Sequence, residues 1–85
     1  MEITYKPSFV KSFKKLEMSL QEEAFEKIQL FKHTDNHKQL KVHKLPGRLK
    51  DYYSFSVNYK YRIVFSYTTD AVADFKYIGS HDVYN

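Results

Sequence analysis

The stretch "YYSFSVNYKYRIVFSY", residues 52–67, decides the fold because apolar and polar side chains alternate along it. A period of two is typical of β-strands that bury one face. The pattern predicts two neighbouring strands, and their inward-facing residues are Tyr53, Phe55, Val57, Tyr61, Ile63, Phe65 and Tyr67. A further run, "AVADFKYIG", predicts a last strand with Ala73, Phe75 and Tyr77 facing inward. The C-terminal half should therefore form an antiparallel meander.

The N-terminal half has the period of a helix instead. Phe9, Phe13 and Leu16 recur at i, i+4 and i+7, which predicts a first helix from Ser8 to near Met18. The lysines of this segment fall on its other faces. The segment should therefore be amphipathic, with one side against the sheet.

A second helix should follow after a very short joint. The run "SLQE" matches a capping box, with Ser19 at the N-cap and Glu22 at N3. The buried stripe of this helix would comprise Leu20, Ala24, Ile28 and Phe31. With the extended start "ITY", the order becomes β-α-α-β-β-β. The sequence thus predicts an α+β fold, in which an N-terminal strand and a two-helix hairpin accompany a mainly antiparallel sheet.

Length and composition indicate one folded domain, residues 1–85. The 85 residues are 42% hydrophobic and 18% aromatic, with two glycines and two prolines, which argues against disorder. The absence of cysteine excludes a disulfide frame and a thiolate metal site. The N-terminus lacks a secretory signal, and no run is long enough to span a bilayer. We expect a soluble, cytoplasmic protein with no membrane partner.

The net charge of +4 is concentrated in one segment. Residues 1–37 are balanced, with six lysines and six acidic residues. Residues 38–62 hold seven Lys or Arg against Asp51 alone, an excess of six positive charges. Residues 63–85 hold Lys76 against three aspartates, which leaves −2. The central excess indicates either a localised anion-binding surface or a solvated, lysine-rich loop.

Arg62 is the first candidate functional residue. It shares a strand with Ile63 and Phe65 but should point to the opposite face, which helices on one side of the sheet would leave open. A charged side chain within an apolar strand is costly unless it is solvated or engaged. An isolated arginine here would simply face solvent, but the neighbouring basic segment favours a binding role.

Two histidines and a tyrosine are the next candidates. His81 follows the last strand in "YIGSHDVYN", and an imidazole can exchange a proton near neutral pH, although such a histidine often only ends a strand. Tyr84 can stack on a base or pin the tail to the core, and Asp82 is the weakest member of this group. His43, in "KVHKLPGR", is either the second histidine of an acid–base pair or a polar residue of a connecting strand.

No metal or cofactor is expected. His33 and His37 have the spacing of a helical metal pair, but "HTDNH" favours a helix end, and neither a cysteine nor a third ligand is nearby. The "HD" of "SHDV" lacks the further ligands of metal phosphohydrolases. Glycine-rich phosphate loops and a nucleophile elbow are also absent from the sequence.

The remaining side chains suit RNA. Arginine can bind a phosphate with two hydrogen bonds, and tyrosine can stack on an unpaired base. An imidazole can take the proton of a ribose 2′-hydroxyl or give one to a leaving 5′-oxygen. Such a reaction requires no metal, because the nucleophile belongs to the RNA.

The element order and two segments, "HKLPGRLKDYYSFSVNYKYRIVF" and "YIGSHDVY", resemble the RelE/ParE superfamily of toxins from type II toxin–antitoxin pairs. The resemblance covers essentially the whole chain and is most specific in its second half. It implies that Arg62 binds phosphate. His81 stands where YoeB-like and YafQ-like members carry a catalytic histidine, Tyr84 matches their C-terminal aromatic residue, and His43 resembles a second histidine of YafQ-like members. Ser54 and Ser56 replace two lysines of RelE itself, which makes the histidine-based mechanism the better analogy.

The family implies a metal-independent, ribosome-dependent mRNA endonuclease that cuts in the ribosomal A site. Its partners would be mRNA, rRNA and a cognate antitoxin. The expected RNA-binding cations are Lys41, Lys44, Arg48, Lys50 and Lys60. One alternative is a ParE-like inhibitor of DNA gyrase without nuclease activity, although the ending "SHDVY" favours the nuclease. Another is an inactive member that only binds.

Overall fold

The computed structural model describes residues 1–49 and 51–80. Its strands are β1 (Glu2–Tyr5), β2 (His43–Lys44), β3 (Tyr53–Ser56), β4 (Tyr61–Thr69) and β5 (Val72–Ser80). Its helices are α1 (Pro7–Lys14) and α2 (Met18–Phe31), and short 3₁₀ turns lie at Thr34–Asn36 and Gly47–Leu49. The predicted order of elements is confirmed, with the two-residue strand β2 added before the meander.

The five strands form one mixed sheet in the order β1-β5-β4-β3-β2. Strands β2 to β5 are antiparallel to their neighbours, whereas β1 pairs in parallel with β5. The first and second strands therefore form opposite edges of the sheet, and the helical hairpin lies between them in the chain. This agrees with the predicted α+β fold and its mainly antiparallel sheet.

The helices pack on one face of the sheet. Their buried residues Phe9, Ala24, Ile28 and Phe31 join the strand residues Phe55, Ile63, Phe65, Ala73, Phe75 and Ile78 in one cluster, together with Leu40 and Val57 from the connecting segments. Phe31 lies at its centre, stacked on Phe55 at 4.6 Å between ring centroids and edge-on to Phe65 at 5.0 Å. Phe55, Ile63 and Phe65 thus follow the alternation expected from the sequence, whereas Tyr67, which was predicted to face inward, is exposed near the end of β4.

The joint between the helices differs from the prediction. Helix α1 ends at Lys14, and Glu17 rather than Ser19 is the N-cap of α2, without a side-chain cap. The Gln21 side-chain amide donates to the Phe13 carbonyl at 3.1 Å. The predicted capping box is therefore wrong, because this contact between the helices and the extended backbone at Glu17 determine the turn.

The inward position of Tyr77 was also predicted wrongly. The β4–β5 register shifts between Val64 and Phe65, so Phe65 pairs with Phe75 while Val64 pairs with Tyr77. This irregularity adds one residue to β5 and reverses its phase. Ile78 consequently fills the core position, and Tyr77 shares a face with Val64.

The face turned away from the helices, here called the outer face, is partly covered. Ser54, Val64 and Leu45 are buried but do not belong to the main cluster. The chain between β2 and β3 folds back here, and the Lys76 ammonium lies 4.9 Å from the centre of the Tyr52 ring. The outer face is therefore closed at its middle.

An ion pair fastens β1 to β5. Lys6 Nζ lies 2.9 Å from Asp74 Oδ2, and the Thr4 hydroxyl donates to Asp74 Oδ1 at 2.7 Å. Burial alone would raise the pKa of Asp74, but the hydrogen bonds from Lys6 and Thr4 outweigh it and hold the pKa below its ordinary value of 3.8. The same hydrogen bond and charge raise the pKa of Lys6 above 10.5.

We expect Asp74→Asn to unfold at a lower temperature than the parent at pH 7. A lowered carboxyl pKa stabilises the fold above the unfolded-state value and loses that effect as the pH falls through the folded value. The difference between parent and variant should therefore shrink below about pH 3.8. Thermal unfolding across pH measures it, with Asp70→Asn in the adjoining turn as the control. An Asp74→Asn difference that persists unchanged into strong acid would contradict this account.

Within the described ranges, neither helix is long and apolar enough to cross a membrane.

Candidate nucleic-acid site

Arg62 lies on the outer face near one end of the sheet. In the register it is paired with Ser56 of β3 on one side and with Gly79 of β5 on the other. Its neighbour Ile63 is fully buried in the core, whereas Arg62 itself is only partly buried. The predicted orientation of Arg62 is thus confirmed. The glycine opposite leaves one flank of the arginine without a side chain.

In the part of the chain that the structure describes, the guanidinium of Arg62 is held through one nitrogen. Nη1 donates to the Ser56 hydroxyl at 2.6 Å and to the Asn58 carbonyl oxygen at 3.3 Å. In residues 1–49 and 51–80 no carboxylate forms an ion pair with it. Its Nε and Nη2 make no hydrogen bond to a described residue, so the edge that carries them can bind two oxygens of an anion.

Asn58 organises the turn that precedes Arg62. Its side-chain oxygen accepts the backbone amides of Lys60 at 2.9 Å and Tyr61 at 2.8 Å. Its side-chain amide donates to Glu23 Oε1 of α2 at 2.9 Å. The turn between β3 and β4 is therefore tied to the helical layer, which fixes the carbonyl that holds Arg62.

The chain before β2 borders this site. The Leu40 carbonyl accepts the amide of Ser56 at 2.8 Å, which places the next residue, Lys41, beside the end of β3. Lys41 is exposed and has a φ of 60°, a left-handed conformation that is uncommon for a residue other than glycine. This bend turns the chain into β2, where His43 begins the strand.

His43 shares the outer face with Arg62 but does not touch it. It pairs with Ser54, which in turn pairs with Val64, two residues along β4 from Arg62. Two strand spacings and two residues along the strand separate their Cα atoms by about 12 Å. His43 Nδ1 lies 2.8 Å from the Lys41 carbonyl oxygen, and the other ring nitrogen of this exposed side chain makes no hydrogen bond within residues 1–49 and 51–80. The predicted pairing of His43 with His81 lies partly outside the described residues.

The predicted RNA-binding cations do not all lie together. Lys60 is exposed in the turn before Arg62, so it and Lys41 lie at the Arg62 end of the sheet. Lys44 pairs with Tyr53, a residue packed against the core, and strand alternation therefore turns it away from the outer face. Arg48 is exposed in the 3₁₀ turn between β2 and β3.

The candidates Lys50, His81 and Tyr84 lie outside the described residues.

The two serines of β3 differ in their environment. Ser54 is fully buried, and its hydroxyl has no hydrogen-bond partner among the described residues. Ser56 is partly buried and accepts the hydrogen bond from Arg62. Ser56 rather than Ser54 therefore belongs to the site.

Sequence reasoning did not assign a role at the site to Ser56, Asn58 or Gly79. The available signals were an asparagine between two strands, a residue type typical of turns, the phase that aligns Ser56 with Arg62, and the resemblance that places Ser56 where RelE carries a lysine. The register that brings Gly79 opposite Arg62 depends on the irregularity in β5, which the sequence does not reveal.

Several solved structures share this fold. The solution structure of the conserved hypothetical protein HP0894 from Helicobacter pylori is 21% identical, with a TM-score of 0.75 and 96% of each chain covered. A chain of the YoeB–YefM complex from Staphylococcus aureus is 20% identical, with a TM-score of 0.72 over 95% of this chain and 97% of that one. YafQ from E. coli is 19% identical, with a TM-score of 0.69 over 95% and 93%. At these identities the likeness establishes the fold alone.

Comparison of the sequence with curated proteins gave no match. A family model, described as the RelE-like toxin of the type II toxin–antitoxin system HigB, matches residues 8–81. The match includes α1 from its second residue, all of α2, the basic segment and the strand that carries Arg62. The chain therefore belongs to the HigB-like family of RelE-like toxins of type II toxin–antitoxin systems, within the RelE/ParE superfamily.

Proposed function

We propose that this toxin is a metal-independent endoribonuclease that cleaves mRNA in the A site of the ribosome. The observation that carries the proposal is the set of hydrogen bonds that hold the guanidinium of Arg62. Its guanidinium is anchored through Nη1, has no carboxylate partner in the described chain and presents its second edge on the outer face. An arginine held in this orientation can bind a phosphate and stabilise the charge that develops on it.

The reaction uses the hydroxyl of the RNA as the nucleophile. A base takes the proton of a ribose 2′-hydroxyl, the oxygen attacks the adjacent phosphorus, and the 5′-oxygen leaves with a proton from an acid. The products are a 2′,3′-cyclic phosphate and a 5′-hydroxyl. Arg62 would bind the non-bridging phosphate oxygens throughout, because negative charge grows on them in the transition state.

Histidine is the proposed proton carrier. Strand β5 ends beside this site, since Gly79 pairs with Arg62 and Ser80 with Tyr61, and His81 is the next residue in the sequence. An imidazole is suited to proton transfer near neutral pH. We assign His81 as general acid or base, His43 as its partner and Tyr84 as the aromatic residue that supports the substrate. Lys41 and Lys60 would contact the phosphates of mRNA or rRNA.

A cognate antitoxin is the proposed protein partner. Two observations support it: the family model describes one component of a toxin–antitoxin pair, and the similar S. aureus structure is a complex of YoeB with YefM. Both the toxin and its partner would act in the cytoplasm, where translating ribosomes are found.

Growth after induction tests the proton carrier. We expect the parent to arrest growth and His81→Ala to relieve the arrest, whereas His33→Ala, which removes an exposed histidine after α2, should remain toxic. Plasmid supercoiling measured in the same cultures reports on DNA gyrase. Arrest by His81→Ala at the level of the parent would contradict the assignment of His81. Altered supercoiling with intact mRNA would instead favour a ParE-like gyrase inhibitor.

A further inference from the structure

We infer that Ser56 is a positioning residue, which holds Arg62 so that its Nε and Nη2 edge binds the phosphate side-on. This inference rests on the proposed function and adds to it the binding mode and the residue that imposes it. Ser56 and Arg62 are directly opposed across β3 and β4, and the hydroxyl of Ser56 lies 2.6 Å from Arg62 Nη1.

The geometry of the guanidinium selects the binding edge. The group is planar and offers two edges at which paired N–H bonds run side by side, one formed by Nη1 and Nη2 and one by Nε and Nη2. Both hydrogen bonds of Arg62 to described residues use Nη1, which occupies the first edge. Among the described residues nothing occupies the second edge, which keeps two donors for a phosphate, so the bound anion should lie along the side of the guanidinium rather than at its tip.

The two groups that accept hydrogen bonds from Arg62 Nη1 differ in whether a substitution can remove them. The Asn58 carbonyl is held by the turn, in which the Asn58 side chain accepts two backbone amides and donates to Glu23. It cannot be removed without disturbing the backbone. The Ser56 hydroxyl is a side-chain anchor with the shorter distance, and Ser56→Ala removes it alone. A flexible arginine without this anchor would retain its charge but would spend less time in the productive orientation.

The first test measures cleavage of a defined mRNA on purified translating ribosomes. We expect Ser56→Ala to lower kcat about tenfold, the effect of losing one hydrogen bond to a charged group, while KM changes less than about twofold. Ser56→Thr keeps the hydroxyl and should restore most of the rate. Ser66→Ala makes the same change further along the outer face, away from Arg62, and should behave as the parent.

The second test does not depend on activity. The Arg62 Nε–H signal in an NMR spectrum, assigned with Arg62→Lys, reports how rigidly the guanidinium is held. Its heteronuclear NOE should fall in Ser56→Ala and remain at the parental value in Ser56→Thr and Ser66→Ala. Thermal unfolding of each variant verifies that the fold is intact.

The outcomes separate this inference from the proposed function. If the parent cleaves no mRNA but the NOE falls in Ser56→Ala, the proposed function is wrong and the anchoring by Ser56 is right. An unchanged NOE in Ser56→Ala overturns the inference whatever the activity. A Ser56→Ala variant that cleaves at the parental rate, or that raises KM alone, also overturns it.

Discussion

Arg62→Ala should lower the rate of mRNA cleavage by at least about a hundredfold, the usual effect of removing one group that stabilises transition-state charge. The variant would lose both N–H groups proposed to bind the phosphate, and the described cations at this end of the sheet, Lys41 and Lys60, are exposed side chains outside the Ser56–Arg62–Gly79 row. Single-turnover cleavage on translating ribosomes provides the measurement.

Arg62→Lys tests whether cleavage depends on the shape of the guanidinium and not only on its positive charge. Lysine keeps the positive charge but cannot bind a phosphate with two parallel hydrogen bonds, so its rate should lie much closer to that of Arg62→Ala than to the parent. Lys11→Ala, which removes an exposed cation from α1, is the matched control and should not change the rate. Parental cleavage by Arg62→Ala would exclude Arg62 from the chemistry.

Phe31→Ala should produce the largest loss of stability, with the free energy of unfolding lowered by about 3–5 kcal/mol. Phe31 is fully buried at the end of α2 and contacts rings from three strands, with centroids 4.6 Å from Phe55, 5.0 Å from Phe65 and 5.4 Å from Phe75. Truncation removes these contacts and leaves a cavity between the helical layer and the sheet. In a domain whose stability is typically 5–15 kcal/mol, the loss would unfold a measurable fraction of the molecules.

Urea denaturation followed by circular dichroism measures this effect. Phe25→Ala is the matched control, because Phe25 belongs to the same helix but keeps 59% of its surface exposed. It should cost less than about 1 kcal/mol, in proportion to the smaller area that it buries. Equal destabilisation by the two variants would show that the cluster around Phe31 is not the centre of the core.

The face of the sheet to which each residue of β3 and β4 points was the most predictable property of this chain. The alternation in residues 53–67 identified Phe55, Ile63 and Phe65 as core residues and Arg62 as an outer-face residue, and the structure agrees. In a regular strand alternate residues point to the same face of the sheet, so a period of two in the sequence assigns each residue to a face. In β5 the extra residue before Tyr77 breaks that condition, and the prediction for Tyr77 was therefore wrong.

Helix boundaries and the site itself were less predictable. The pattern at Ser19 satisfied a capping rule, but a contact between Gln21 and Phe13 links the two helices, and the N-cap of α2 lies two residues earlier, at Glu17. Arg62 was identifiable as a single residue, whereas its anchors were not. Ser56 and Asn58 become anchors only through the pairing of β3 with β4 and the bond from Asn58 to Glu23 of α2, which is 35 residues away in the sequence. Neither the strand pairing nor the bond to Glu23 can be identified from the residues that adjoin Ser56 and Asn58 in the sequence.

Mapping the 5′ ends of cellular mRNA after induction tests the central claim most directly. We expect new ends in the parent that lie within translated codons, at a constant position relative to the reading frame, and that disappear when the start codon of a reporter is removed. Arg62→Ala should give no such ends. New ends that ignore the reading frame, or a growth arrest with intact mRNA, would contradict the proposal of a ribosome-dependent mRNA endonuclease.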